Sequence, residues 1–445
     1  MNAQAPSPKL PLASSLNAPE PAPHTISTGA VDMQNLTIDP QRLWDTLMET
    51  AQIGGTPKGG ICRVTLTDLD RQIRDWFRVE CEALGCSVGI DTMGNMFAVR
   101  PGKRDDIAPI AMGSHLDTQP TGGKFDGVLG VLAGLEVMRT LHDLGYETNA
   151  PIMLVNWTNE EGARFAPSML GAGVHAGLYA PDMAEAITDR DGVSLREALE
   201  GIGYRGDVPV GQTRFSAMFE LHIEQGPILE AEGKSIGIVT GVQGMRWYDI
   251  TLTGRESHTG TTPMKLRRNA LLGAARLIEH VDAIAHAHAP HAVGTVGMVE
   301  VRPNSRNVIP GEVFLTVDFR HPETAVLEAM ETALHQAIDA VAGEIGLAAE
   351  HRRVTDNPPV VFDTDCIEAV RRGTQQAGYE SREMLSGAGH DATYTAAIAP
   401  TAMIFVPCEN GLSHNEAENA TFADCGAGAQ VLLNAVLDYD TRFAP

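Results

Sequence analysis

The sequence has few cysteines, a shortage of positive charge and no long apolar run. Its 6 cysteines (Cys62, Cys81, Cys86, Cys366, Cys408 and Cys425) include no C-x-x-C pair in a chain of 445 residues. That is no disulfide framework, so the reduced thiols of a cytoplasmic protein are expected. Lys and Arg number 33 against 57 Asp and Glu, a net charge of -24. Such a balance excludes nucleic-acid binding by a general basic surface and argues against docking on an anionic membrane. It leaves room for a local basic pocket. No apolar stretch reaches the roughly 18–20 residues that span a bilayer. The opening MNAQAPSPKLPLASSLNAPEPAPH has no charged segment followed by an apolar one, and no Arg. A secretory signal or mitochondrial transit peptide is therefore not expected.

What is present is globular composition, with 43% apolar and 20% charged residues. The length suggests two or three domains, or one domain with a large insertion. Residues 1–35, with six prolines between Pro6 and Pro23, read as a disordered tail. Beyond it, helices are expected from Thr67 to Cys81 and from Gly127 to Leu144. Strands are expected at Ser87–Ile90, Met96–Val99, Ile107–Met112, Pro151–Trp157 and Ala217–Ile223. This alternation indicates an α/β fold with a mostly parallel sheet covered on both faces.

The pattern changes near Gly241. Trp247–Leu252, Ala292–Val301 and Glu312–Phe319 alternate like half-exposed strands, between long helices at Asn269–Ala289 and Thr324–Ile345. After Pro358-Pro359 buried patterns return: helix Asp365–Ala377, strand Glu383–Ser386 and strand Thr401–Pro407. An α+β sandwich at residues 242–359 is therefore expected as an insertion into a larger domain of residues 36–241 and 360–445.

Four segments share one layout: a buried strand, a turn, and imidazole or carboxylate side chains at the strand's C-terminal end. They are IAMGSHLDT with GGKFDG, VNWTNEEG, FELHIEQG, and IFVP followed by GLSHNE. In open α/β sheets ligands bind outside the carboxyl ends of strands, so four such ends point to one pocket. Two divalent ions sharing a bridging carboxylate need about five protein ligands, and His115, Asp126, Glu161, His222 and His414 are the candidates. Glu160 is then free to act as general base. Asp117 is placed to accept the second ring N–H of His115. A lone His at a strand end is usually just polar surface or core; His142, His280, His286, His288, His291, His335 and His351 are read that way.

These motifs resemble the amidase/hydantoinase/carbamoylase family of the di-zinc aminopeptidase clan. The matching stretches, including GSHLDTQPTGGKFDG, NWTNEEGARF, ELHIEQGPILE, GRESHTGTTPM, RPNSRNVIPG, VDFRH, GAGHDA and LSHNE, run from about Gly54 to Glu416. LHIEQGP is the most telling, because the peptidase branches generally carry a carboxylate where this chain has His222. GGTPKGGICRVTLTDLDRQIRDWF is closest to N-carbamoyl-amino-acid hydrolases and β-ureidopropionases. The resemblance implies a di-zinc aminopeptidase-like catalytic domain and an inserted lid that forms a homodimer. It implies two divalent ions per subunit, zinc first, with manganese, cobalt or nickel as alternatives. One ion would be held by His115, Asp126 and His222, and the other by Asp126, Glu161 and His414. His258 would stabilise an oxyanion in the partner's site. Asn307 and Arg320 would grip a substrate carboxylate, with Arg302 and Arg306 as rivals for the arginine role. Gln225 would also touch substrate, and His390 would be substrate-adjacent or stand just behind the ligands.

The implied reaction is hydrolysis of the ureido group of an N-carbamoyl-α- or β-amino acid. Allantoate hydrolysis is the near rival; peptide hydrolysis and metal-dependent binding without catalysis are remoter ones.

Overall fold

The computed structural model describes residues 36–444; the tail expected over residues 1–35 lies outside the described residues. In chain order the strands are β1 Ser87–Ile90, β2 Met96–Arg100, β3 Ile110–His115, β4 Ile152–Trp157, β5 Ala217–Ile223 and β6 Ile236–Val242. Then come β7 Gly244–Thr253, β8 Ser257–His258, β9 Val293–Arg302, β10 Val308–Ile309, β11 Glu312–His321 and β12 Ala348–Asn357. The chain returns with β13 Val360–Val361, β14 Ser381–Ser386 and β15 Thr401–Val406.

The main sheet has the order β1-β2-β4-β3-β5-β15-β6-β13, with β14 also beside β6. Its inner run β4-β3-β5-β15 is parallel, while β2 and β6 join that run antiparallel. Every residue of β3, β4, β5 and β15 is buried, as a sheet covered on both faces requires. Successive side chains point to opposite faces. Ile110, Met112, Ile152 and Leu154 therefore join one apolar core, and Ala111, Met153 and Val155 another. Helices Val128–Asp143, Thr364–Ala377 and Phe422–Phe443 cover the first face. Gly130 lets the helix close on the sheet: a Cβ there would sit 2.3 Å from the carbonyl oxygen of Leu221.

The inserted α+β part is an antiparallel sheet, β12-β7-β11-β9. Its core is built from Tyr248, Ile250, Leu252, Val313, Leu315, Val317 and Phe319 with helices Ala270–Ala287 and Thr324–Ile345, and shares no residue with the main core. In β11 burial alternates residue by residue, the pattern of a sheet with one covered face.

The strand expected from Ile107 begins at Ile110 and runs on to His115. Pro109, which has no N–H for a ladder, stands just before it. Several elements fall outside the sequence reading, among them helix Pro40–Thr50, β6, β12, the short helices between Leu170 and Ile202, and helix Phe422–Phe443. β12 is an edge strand exposed along most of its length, so apolar alternation is missing.

Candidate metal centre

Because β3, β4, β5 and β15 are parallel, their C-terminal ends open at one edge of the sheet. Two groups of side chains gather there, His115–Asp126–His222 and Asp126–Glu161–His414, with donor atoms within 4.8 Å of one another in each. Asp126 is common to both. Its Oδ1 faces His222 Nε2 at 3.0 Å and His115 Nε2 at 3.7 Å, and its Oδ2 faces His414 Nε2 at 3.3 Å. Glu161 Oε2 lies 3.3 Å from His414 Nε2.

The ring orientations suit a cation. Nδ1 of His115 donates to the carbonyl of Asp117 and Nδ1 of His222 donates to the carbonyl of Ile223, both at 2.9 Å. A carbonyl only accepts, so each Nδ1 carries its proton, and in the neutral ring the Nε2 lone pair faces the cluster. Burial pushes His115 down to about 4. It opposes protonation of His222 too, but the hydrogen bond to Asp126 raises that imidazole to about 9. His414 is lifted to about 9 first by its hydrogen bond to Asp126. Burial and then Asp126 push Glu161 up to about 8. Burial, with Asp391 and Glu161 nearby, holds Glu160 well above the usual carboxylate range. Crowded buried carboxylates ionise readily only beside positive charge, which a divalent ion supplies. The donor set of imidazole nitrogens and carboxylate oxygens fits such an ion.

Glu160 Oε2 lies 3.4 Å from His115 Nε2 at the cluster's edge. Asp117 departs from expectation. The ring N–H of His115 goes to the Asp117 backbone carbonyl, and the carboxylate stays 3.9 Å away. Instead that carboxylate accepts the N–H groups of Glu160 and Glu161, each at 3.3 Å. The carbonyl already occupies the near position, so the carboxyl group is free to orient the Glu160-Glu161 turn.

Gln225 reaches the cluster, donating from Nε2 to Asp126 Oδ2 at 2.9 Å and to Ser413 Oγ at 3.0 Å. His390 is 2% exposed, packs edge-on against His222 with ring centroids 4.5 Å apart, and pairs with Ser386 Oγ at 3.0 Å.

The remaining residues lie on the insertion. Arg320 forks onto Asp318 and donates from Nη1 to the carbonyl of Gly387 at 2.8 Å, beside the loop that carries His390. His258 pairs in register with Val308, next to Asn307. Its Nδ1 accepts the N–H groups of Gly260 and Thr261 at 3.0 and 3.3 Å. Among the described residues no hydrogen bond or ion pair joins His258 or Asn307 to the cluster.

Sequence reasoning missed three supports. Gln119 holds Glu161, its N–H donating to Oε1 at 3.0 Å and its Nε2 to Oε2 at 2.8 Å. Ser413 and Glu418 brace Asp126. Their only sequence signal is proximity to His414. Gly127, at φ +65, is a fourth constraint: a Cβ would lie 2.2 Å from His115 Nε2. Gly127→Ala is expected to cost about 1–3 kcal/mol from backbone strain alone and to displace the His115 ring. Thermal melts with and without added metal would show it as a lower Tm and a lost metal-induced stabilisation. A wild-type metal response would contradict the packing argument.

Among proteins of known type, the model of peptidase family M20/M25/M40 matches residues 111–438. A Rhizobium meliloti protein named N-carbamoyl-L-amino-acid amidohydrolase is 51% identical over 405 residues, covering 91% of this chain and 97% of its own. Escherichia coli allantoate amidohydrolase is 32% identical, over 88% of this chain and 96% of its own. The crystal structure of an amidase of the hydantoinase/carbamoylase family from Burkholderia multivorans superposes with a TM-score of 0.89 at 54% identity, covering 91% of this chain and 98% of that one. The chain therefore belongs to peptidase family M20/M25/M40 and, within it, to the hydantoinase/carbamoylase amidases.

Proposed function

We propose that the protein hydrolyses the ureido group of N-carbamoyl amino acids. One observation carries this reading: the Rhizobium meliloti amidohydrolase is 51% identical to this chain along nearly all of both chains, and here the five candidate ligands converge beside Glu160. That relative's name favours an L-amino acid. Two divalent ions, zinc first, fit the two groups that share Asp126.

When bound, such ions supply Lewis acidity, which acidifies water and polarises a carbonyl. Glu160 takes a proton from the water that attacks the ureido carbon and delivers it to the amino-acid nitrogen as the C–N bond breaks. Free amino acid and carbamic acid result, and the latter falls apart to ammonia and carbon dioxide. Asp117 holds the Glu160-Glu161 turn through its backbone N–H groups. Arg320, Asn307 and Gln225 are read as the groups that hold substrate, so that binding energy orients the reacting carbon.

His258 is read as the oxyanion donor. Its Nδ1 accepts two backbone N–H groups, which leaves the proton of the neutral ring on Nε2. The insertion's geometry favours action in a second copy of the chain. Arg320 touches Gly387 beside the metal groups of its own chain, whereas β8 and β10 lie beyond the Glu312 end of the sheet. From Glu312 to Arg320 an extended strand covers roughly 27 Å, far more than a ureido acid spans. A homodimer in which His258 and Asn307 complete the partner's site resolves this. Mixing inactive His258→Ala with inactive Glu160→Gln protein is expected to restore partial activity, approaching one working site per heterodimer. No recovery despite verified subunit exchange would place the whole site in one chain. A cytoplasmic location completes the reading, supported by cysteines that are all unpaired and by the lack of any helix, among the described residues, long and apolar enough to cross a membrane.

Ammonia release tests the function. Metal-replete protein is given N-carbamoyl-β-alanine, an N-carbamoyl-L-α-amino acid and allantoate in parallel, each with a chelator-stripped control. Chelator-sensitive release from the L-α compound above the other two is the expected result. Release from allantoate alone would move the protein to the rival reaction, which the Escherichia coli relative represents.

A further inference from the structure

We propose that Glu418 is a positioning residue that ties the two metal-bearing loops together and thereby sets the affinity of the ion held by His414. The inference rests on the metal-centre reading above. Glu418 is 2% exposed and stands 292 residues from Asp126 in the chain. Its Oε1 accepts the backbone N–H groups of Phe125 and Asp126, both at 3.1 Å, and its Oε2 accepts the Ser413 hydroxyl at 3.0 Å. One carboxylate thus grips the backbone of the shared ligand and the residue directly before His414.

Ser413 extends the tie. Its Oγ lies 3.0 Å from Asp126 Oδ2 as well, and it accepts Gln225 Nε2–H at 3.0 Å. A hydroxyl has one proton, so Ser413 donates to one carboxylate at a time while staying within reach of both. Gly123 leaves the room required: a Cβ there would lie 2.1 Å from Glu418 Oε1.

The two metal groups need this support unequally. The side chains of His115 and His222 are 1% exposed and locked through Nδ1. The His414 side chain is 52% exposed, on a residue at φ +52. Packing therefore holds the first group, whereas the second depends on where the loop carrying Ser413 and His414 is pinned. Removing Glu418 should loosen the second ion much more than the first.

The test uses metal-stripped full-length protein titrated with Co²⁺. Visible absorption follows coordination, and equilibrium dialysis counts bound ions. Wild type should bind two ions in two steps. Glu418→Ala should keep the first step within about threefold and weaken the second by about 10–100-fold, the usual size of an outer-shell effect on metal affinity. Glu418→Gln should fall between, because its side-chain oxygen still accepts the Phe125 and Asp126 N–H groups. Ser413→Ala should weaken the second step less than Glu418→Ala.

Two wild-type steps beside an unaltered Glu418→Ala would overturn the proposal alone. So would equal weakening of both steps. If Glu418→Ala fails to fold while Glu418→Gln and Ser413→Ala bind both ions normally, the role is structural and the proposal also falls. A wild-type protein that takes up no Co²⁺ would overturn the metal-centre reading itself.

Discussion

Replacing Glu160 with Gln should lower kcat by about 10²–10⁴-fold, the usual worth of a positioned acid–base group, with two metal ions still bound. The substitution keeps the side chain's shape and one oxygen but removes its capacity to take up and return a proton. Glu160 belongs to neither ligand group, so ion content should not change. Its 3.4 Å contact with His115 Nε2 places it at the edge of the cluster, where a reacting water would stand. The Asp117 carboxylate keeps hold of the turn through backbone N–H groups that the variant leaves intact. KM should therefore change little. Metal analysis and steady-state ammonia release on the same preparation decide the matter. Wild-type turnover would remove Glu160 from the base role, and loss of metal would make it a ligand.

Asp126→Ala should be the most damaging single change, taking turnover to background and weakening both ions by more than the 10–100-fold typical of outer-shell variants. One oxygen of Asp126 faces His115 and His222 and the other faces His414. Removing it leaves each group with two of its three protein donors. It also leaves Ser413 and Gln225 without a partner that both now share. His414→Ala is the internal control, expected to weaken the second ion only. Metal counts after dialysis against limiting Zn²⁺ distinguish the two. If Asp126→Ala kept one ion at wild-type affinity, Asp126 would serve a single ion and would not bridge.

The sequence by itself was enough for the parallel core and for the side chains at its working edge. A strand buried on both faces must be apolar throughout, so β3, β4, β5 and β15 are legible as short apolar runs, and any imidazole or carboxylate just past such a run stands out. The half-buried alternation of β11 and the apolar periodicity of helix Thr324–Ile345 were legible for a related reason: each repeats with the period of its element. Local signals end where partners are remote or a face is open. β12 lies exposed at an edge, and helix Phe422–Phe443 is buried on most sides, so neither has a polar–apolar rhythm to read. Tertiary structure alone decided that a backbone carbonyl, not the Asp117 carboxylate, fixes the His115 ring, and that His390 packs edge-on against His222. It alone brought Glu418 onto the backbone of Asp126, and carried β8 to the far end of the insertion from Arg320. Side-chain chemistry is written residue by residue, whereas hydrogen-bond partners and spans are settled only when distant segments pack together.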